Sequence, residues 1–153
     1  MIFDNRDIIL KLNKRRYILI LVYVTLMIIF FFSGFFEENQ KIILAILISV
    51  IYIIYNIVSY HINFSYFSFR DDQEFLMFRF ISMRPFDSNK KAVKISKSDF
   101  AGFKFEKSFF GYKENLILSI KTKKGIANYP PISLSALSQK HKSMLKQSLN
   151  QFV

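Results

Sequence analysis

Side chains able to do chemistry are few and scattered. The chain of 153 residues has two histidines, His61 and His141, eleven carboxylates and no cysteine. Without cysteine there can be no thiolate zinc site, iron–sulfur cluster, disulfide framework or thiol nucleophile. The histidines lie 80 positions apart, with none of the close spacing that puts two ligands on one metal. His61 ends an apolar run, a place suited to a polar aromatic at an interface, and His141 reads as a packed, hydrogen-bonded core residue. The seven carboxylates after residue 60 show no paired spacing for proton exchange. Asp71-Asp72 reads as a strand-to-strand turn rather than a metal site. Four glycines include no phosphate-cradling loop and no strand–Gly–helix nucleotide signature. No catalytic, cofactor or metal site is assigned, and binding rather than catalysis is expected.

The elements that would carry a binding surface are set by two apolar runs. Tyr17 to Phe36 and Ile42 to Tyr60 cover 20 and 19 positions without a charge. At about 1.5 Å per residue each reaches roughly 30 Å, the thickness of a hydrocarbon core. As buried helices of a soluble protein they would need more chain around them than remains. A cleaved signal fits the first run poorly, since an h-region spans only ~7–15 residues and Ser33-Gly34 is flanked by Phe on both sides. The connector, Glu37 to Lys41, is five residues, which makes the helices antiparallel neighbours.

Charge sets the expected orientation. Residues 1–16 carry five cations against two carboxylates, the connector carries one against two, and residues 61–153 carry sixteen against seven. Lys and Arg are held on the cytoplasmic side, so both termini should lie inside. The expected organisation is a basic N-terminal segment (1–16), a two-helix transmembrane hairpin (17–36 and 42–60) and a cytoplasmic domain (61–153). The richness in Ile, Lys, Asn, Phe and Tyr points to an AT-rich bacterial genome, hence a multi-pass protein of the inner (plasma) membrane.

In the second span Ala45, Ser49, Tyr52, Asn56 and Ser59 recur at spacings of four and three, so they share one face. Small and polar groups on one stripe allow close backbone approach and hydrogen bonds between helices. Either the stripe packs on Thr25 and its neighbours in the first span, or it docks another membrane subunit. A conduction path would need ionisable groups that neither span carries.

From Ile62 onward short stretches alternate with turn residues. Strands are expected over Phe64–Arg70, Phe75–Met83, Ala92–Ile95, Phe100–Glu106, around Leu116–Lys121 and over Ile126–Tyr129. Pro85 with Asp87-Ser88-Asn89 should break the chain, and Pro130-Pro131 should stop the sheet. The tail is an amphipathic helix capped by Ser133 or Ser135, with Leu134, Leu137, Met144, Leu145, Leu149 and Phe152 on one side. The predicted fold class is a membrane α-helical hairpin followed by an α+β, mostly β, domain: a bent antiparallel sheet of six or seven strands and one C-terminal helix.

Ile95-Ser96-Lys97-Ser98-Asp99-Phe100, Phe110-Gly111-Tyr112, the Leu116–Lys121 strand with its Lys123-Lys124-Gly125 turn, and the final helix carry a resemblance. In this order, behind a two-helix hairpin, they resemble bacterial membrane proteins with a pleckstrin-homology-like (PH-like) domain. The resemblance implies a seven-stranded barrel-like sheet closed by a helix and used as a lipid- or protein-binding platform. Relatives that bind phosphoinositides cluster cations on the first two strands and their loop. Here that loop is Arg70-Asp71-Asp72-Gln73-Glu74, so no headgroup site is carried over.

The remaining candidate is the basic surface. Lys14, Arg15 and Arg16, with Lys90, Lys91, Lys94 and Lys97, are possible contacts for anionic lipid, worth about 1 kcal/mol each near a charged surface. They also simply satisfy the positive-inside rule. Nucleic acid would require a reading helix or stacking platform that is missing, and no cofactor or metal is expected. Three functions follow: an accessory or scaffold subunit whose domain binds a protein partner, a module that lies on anionic lipid, or part of a transport assembly. The partners are the bilayer and another membrane protein or a second copy of this chain. The topology predicts that Asn39→Cys reacts with an impermeant thiol reagent in intact cells while Ser143→Cys does not; reversed labelling would refute it.

Overall fold

In the computed structural model, residues 1–34, 37–84 and 90–152 are described. The ends of the predicted first span (35–36) and the predicted break at Pro85 and Asp87–Asn89 lie outside them. The chain divides into two compact units, Leu10–His61 and a sheet unit made of Met1–Ile9 with Ile62–Val153.

Both apolar runs are helical but begin earlier or end later than their uncharged cores. α1 spans Arg6–Phe32 and α2 spans Glu38–Ile62. Hydropathy marks only the apolar part of α1, whose Lys11 to Arg16 lead is, apart from Asn13, also made of good helix formers. Asp7 and Glu38 sit in the first turns, where a carboxylate offsets the positive helix end. Glu37 opens α2 by donating its N–H to Gln40 Oε1 at 3.4 Å, half of a capping box. The helices run roughly 40 and 37 Å, and their most apolar windows, of mean hydropathy 2.0 and 2.6, are 0% and 6% buried. Two helices are thus long and apolar enough to cross a membrane, and their apolar side chains are largely exposed in the single chain. Within this unit Tyr23 of α1 stacks on Tyr52 of α2, centroids 4.4 Å apart and 10° from parallel.

The sheet unit contains two antiparallel sheets of four strands. One has the order β1-β2-β3-β4, with β1 Ile2–Asp4, β2 Ser65–Asp71, β3 Phe75–Ser82 and β4 Lys90–Ser96. The other joins β5 Phe100–Ser108, β6 Lys113–Thr122 and β7 Gly125–Asn128, with β8 Ile132–Ser133 also on β6. Seven of these strands follow α2 in sequence, and the eighth, β1, precedes α1. Strict alternation drives Phe67 and Phe69 of β2, Leu76 and Phe78 of β3 and Leu116 and Leu118 of β6 inward, all at 0% exposure. They share one core with Ile132 and with Leu145 and Leu149 of α3 (Gln139–Asn150). Truncating such a Phe to Ala costs about 3–5 kcal/mol. At Gly102 (φ +151) the β5–β6 pairing slips by one residue, opposite Ser119, a bulge that bends the strand.

Three expectations change here. Residues 1–16 are not a separate segment: Phe3 pairs with Phe69 and stacks at 5.0 Å on His141, and residues 1–9 belong to the sheet unit. Pro130-Pro131 does not stop the sheet. Ser119 faces Asn128 but Leu116 faces Ile132, one residue more than continuous pairing requires, so the prolines occupy a bulge on an edge that needs no N–H from them. The helix cap is Ser138, whose hydroxyl accepts from His141 N at 3.2 Å, because Ser133 and Ser135 are already committed elsewhere. His141 is packed as expected, but its Nδ1 is buried without a hydrogen-bond partner.

The serines are committed where the chain passes between the sheets and the long helices. Asn5, 2% exposed, donates through Nδ2 to Ser65 O at 3.0 Å and Ala136 O at 3.2 Å, and its Oδ1 accepts from Phe67 N at 2.8 Å. Its own carbonyl accepts Ile9 N, closing the first turn of α1. At the other passage α2 ends on Asn63 in the left-handed conformation (φ 54), a common helix stop for Asn. Ser133 Oγ donates to Asn63 O at 2.7 Å and Ser135 Oγ to Ile62 O at 3.1 Å. Ser65 Oγ donates to Ser133 O at 2.8 Å, so the two passages are one network. Asn5→Ala would leave three buried polar groups unpartnered, each worth about 1–3 kcal/mol. It should lower the stability of the detergent-solubilised protein by about 3 kcal/mol or more in thermal melts, whereas exposed Gln73→Ala should stay within about 0.5 kcal/mol.

Candidate functional site

The alternation that points Phe67, Phe69, Leu76 and Phe78 into the core turns the intervening residues onto the outer face of the first sheet. One cross-strand row there is Ile2–Arg70–Met77–Lys94, and the next is Asp4–Ser68–Arg79–Ala92. Ile2, Ser68, Arg70, Met77 and Arg79 enclose a cleft of about 200 Å³. Its lining is apolar at Ile2 and Met77 and cationic at Arg70 and Arg79. Neither has a hydrogen-bond or ion-pair partner among the described residues. The carboxylate in the adjoining row, Asp4, is engaged, accepting from Arg6 N at 3.1 Å and from Tyr66 Oη at 3.3 Å.

Like charges on neighbouring strands repel, and two unpaired arginines beside apolar side chains suit an anionic group that brings apolar surface with it. Arginine forks match carboxylate or phosphate geometry bidentately. The sequence reading missed this pair because Arg70 was counted with its acidic loop. That loop is less hostile than its composition suggests. Asp72 N–H closes the turn on Phe75 O at 3.0 Å, and Asp71 pairs with Lys97 at 2.8 Å with both side chains largely covered. The signal that marks the arginines is period-two parity: Ser68 and Arg70 alternate with Phe67 and Phe69, and Met77 and Arg79 with Leu76 and Phe78.

The lysines proposed for lipid are not a single patch. Lys90, Lys91 and Lys94 lie on β4, whose outer edge has no strand partner among the described residues. Lysines on such an edge discourage pairing with another chain. Lys94 Nζ sits 3.8 Å over the Phe75 ring, and Lys97 Nζ lies 4.6 Å over Phe152 besides its ion pair. Lys14, Arg15 and Arg16 lie on α1 in the other unit, exposed.

The stripe on α2 is partly a seam within the hairpin. Ser49 Oγ and Tyr23 Oη lie 3.0 Å apart beneath the Tyr23–Tyr52 stack, and Ala45 is buried. Asn56 Nδ2 instead bonds the Tyr52 carbonyl of its own helix at 2.8 Å. No three metal-ligating side chains converge among the described residues, and His61 and His141 belong to different units.

Neither family models, curated proteins nor solved structures give a match to this chain. Its reading therefore rests on its own geometry.

For the stripe, Tyr52→Ala should loosen the hairpin by about 0.5–1.5 kcal/mol, the worth of an aromatic pair, and Ser49→Ala by about 0.6 kcal/mol. Asn56→Leu, which breaks only a local bond, should leave hairpin stability unchanged. Limited proteolysis in detergent would order the three variants; equal effects would show that the Tyr23 contacts do not hold the helices together.

Proposed function

We propose that the protein is a non-enzymatic, integral accessory subunit of a bacterial inner membrane, with both termini cytoplasmic, whose PH-like sheet domain holds a protein partner. The PH-like reading is supported by the element order: seven antiparallel strands behind the hairpin in two packed sheets, followed by one helix that buries Leu145 and Leu149 in the shared core. The spanning reading is supported by two long, uncharged and unburied helices. What favours a binding role for the domain is the outer-face cleft, lined by the unpaired Arg70 and Arg79 together with Ile2 and Met77.

A protein partner fits this face better than a flat headgroup layer. Lipid attraction grows with the number of cations facing the surface, and this cleft offers two, beside the apolar Ile2 and Met77. An acidic segment of a partner with one apolar anchor would satisfy both forks and cover Ile2, which is 65% exposed. Arg and Met are also the residue types enriched at the centres of protein interfaces.

The test is gentle detergent extraction, sizing and mass spectrometry of the full chain. The wild type should carry a stoichiometric protein, and Arg70→Ser with Arg79→Ser should lose it by tenfold or more. Lys90→Gln with Lys91→Gln, on the edge of the same sheet, should keep it. A protein that runs alone or retains only anionic lipid would overturn the accessory reading.

A further inference from the structure

The turn between β5 and β6 has a conformation and a composition that folding alone does not explain. Phe109 and Phe110 both hold φ near 54°, followed by Gly111 at 86°. Gly111 N donates to Ser108 O at 3.2 Å, and Tyr112 N to Phe109 O at 3.1 Å. Two consecutive left-handed residues make a tight hairpin turn that Asn and Gly ordinarily fill, since a Cβ is crowded there. Phenylalanine is an unfavourable choice twice over. It strains the backbone, and it leaves Phe110 97% and Tyr112 71% exposed. Such strain is retained where the displayed group has a use. Lys107 and Lys113 flank the turn, and their ammonium groups meet no carboxylate among the described residues.

The turn also has a definite place in the sheet unit. Lys107 pairs with Glu114 and Ser108 with Lys113 just before it. Glu114 O accepts Leu134 N at 2.7 Å, and Glu114 N donates to Ser135 Oγ. Ser135 is the residue whose hydroxyl holds Ile62 O at the end of α2. The neighbouring Ala136 carbonyl takes one proton of the Asn5 amide, directly before α1. The aromatic turn thus extends from the end of the sheet unit that holds Asn5 and Ile62.

We propose that this turn is a bilayer contact: Phe110 and Tyr112 sit in the headgroup–acyl boundary of an anionic membrane, with Lys107 and Lys113 against the lipid phosphates. Aromatic side chains concentrate at that boundary, and shallow apolar insertion with flanking cations is how peripheral segments hold to anionic lipid. The site differs from the cleft of the first sheet in place and in chemistry. It rests on the reading of α1 and α2 as membrane spans, and the experiment separates the two.

The chain contains no tryptophan, so Phe110→Trp supplies a single tryptophan in the full protein, excited selectively over its eight tyrosines. It is reconstituted into phosphatidylcholine vesicles containing phosphatidylglycerol, with and without lipid brominated on its acyl chains. Phe110→Trp should emit to the blue, lose most of its intensity to brominated lipid and be shielded from aqueous iodide. Tyr112→Trp should behave alike, as an independent check on the turn. Ile126→Trp, exposed on β7 at the far end of β6, should emit to the red and be quenched by iodide. Leu47→Trp, within α2, reports on the span itself. If Leu47→Trp is quenched by brominated lipid while both turn reporters remain open to iodide, the turn proposal falls and the spans stand. If Leu47→Trp is not quenched, the span reading fails and the proposal with it. Turn reporters shielded from iodide yet blind to brominated lipid would mean a protein covers the turn, which also overturns it. Adding Lys107→Gln and Lys113→Gln to Phe110→Trp should weaken the brominated-lipid quenching, and undiminished quenching would remove the lysines from the assignment.

Discussion

The structure depends on one buried amide. Asn5 has a carbonyl oxygen and two N–H protons to place, and all three are satisfied by backbone groups of β2 and of the segment leading to α3. A buried amide short of one partner would lose more than it gains, so the geometry tolerates little adjustment. Asn5 also supplies the carbonyl that accepts Ile9 N in the first turn of α1. Ser65, Ser133 and Ser135 extend the same network to the end of α2. An ion pair of largely covered side chains, Lys142 to Glu114 at 2.6 Å, braces α3 against β6 beside it. Removing one member of such a pair is costly because the other charge stays buried.

Much of this was legible from hydrophobic patterning. The two long helices follow from uncharged length alone. Phe67, Phe69, Leu76, Phe78, Leu116 and Leu118 are core residues that strict alternation identifies, and Leu145 and Leu149 follow from helical spacing. What was not legible depends on pairing between segments far apart in sequence. The three residues Ile2–Asp4 carry too little periodicity to announce a strand; they become one because β2 offers an edge some 60 positions later. Ile132–Ser133 is a strand only because β6 is long enough to hold two partners on one side across the proline bulge. Ser133 and Ser135 looked like helix caps because local patterning cannot show that distant carbonyls claim their hydroxyls first.

The charge distribution shows the same limit. Sixteen cations behind the hairpin read as one basic surface, yet the structure spends them differently. Some lie on an open sheet edge, Lys97 is tied to Asp71, Lys142 is covered, and Arg70 and Arg79 flank a concave, partly apolar surface. Net charge constrains topology and solubility, while recognition depends on which cations the pleat places together and which already have partners.

Placing β1 ahead of the helices and β2 behind them has a consequence for assembly. The first sheet cannot close its β1 edge until the chain has passed through both helices and returned, a loop of about 60 residues whose closure must be won from chain entropy. If the helices are spans, this amounts to a check on insertion. Were one span skipped, Phe3 and Phe69 would stand on opposite sides of the bilayer. Asn5 would then have no carbonyls to meet, and the core would lack one wall. A chain that crosses the bilayer only once therefore cannot complete the sheet unit, and the apolar surface that β1 covers stays exposed.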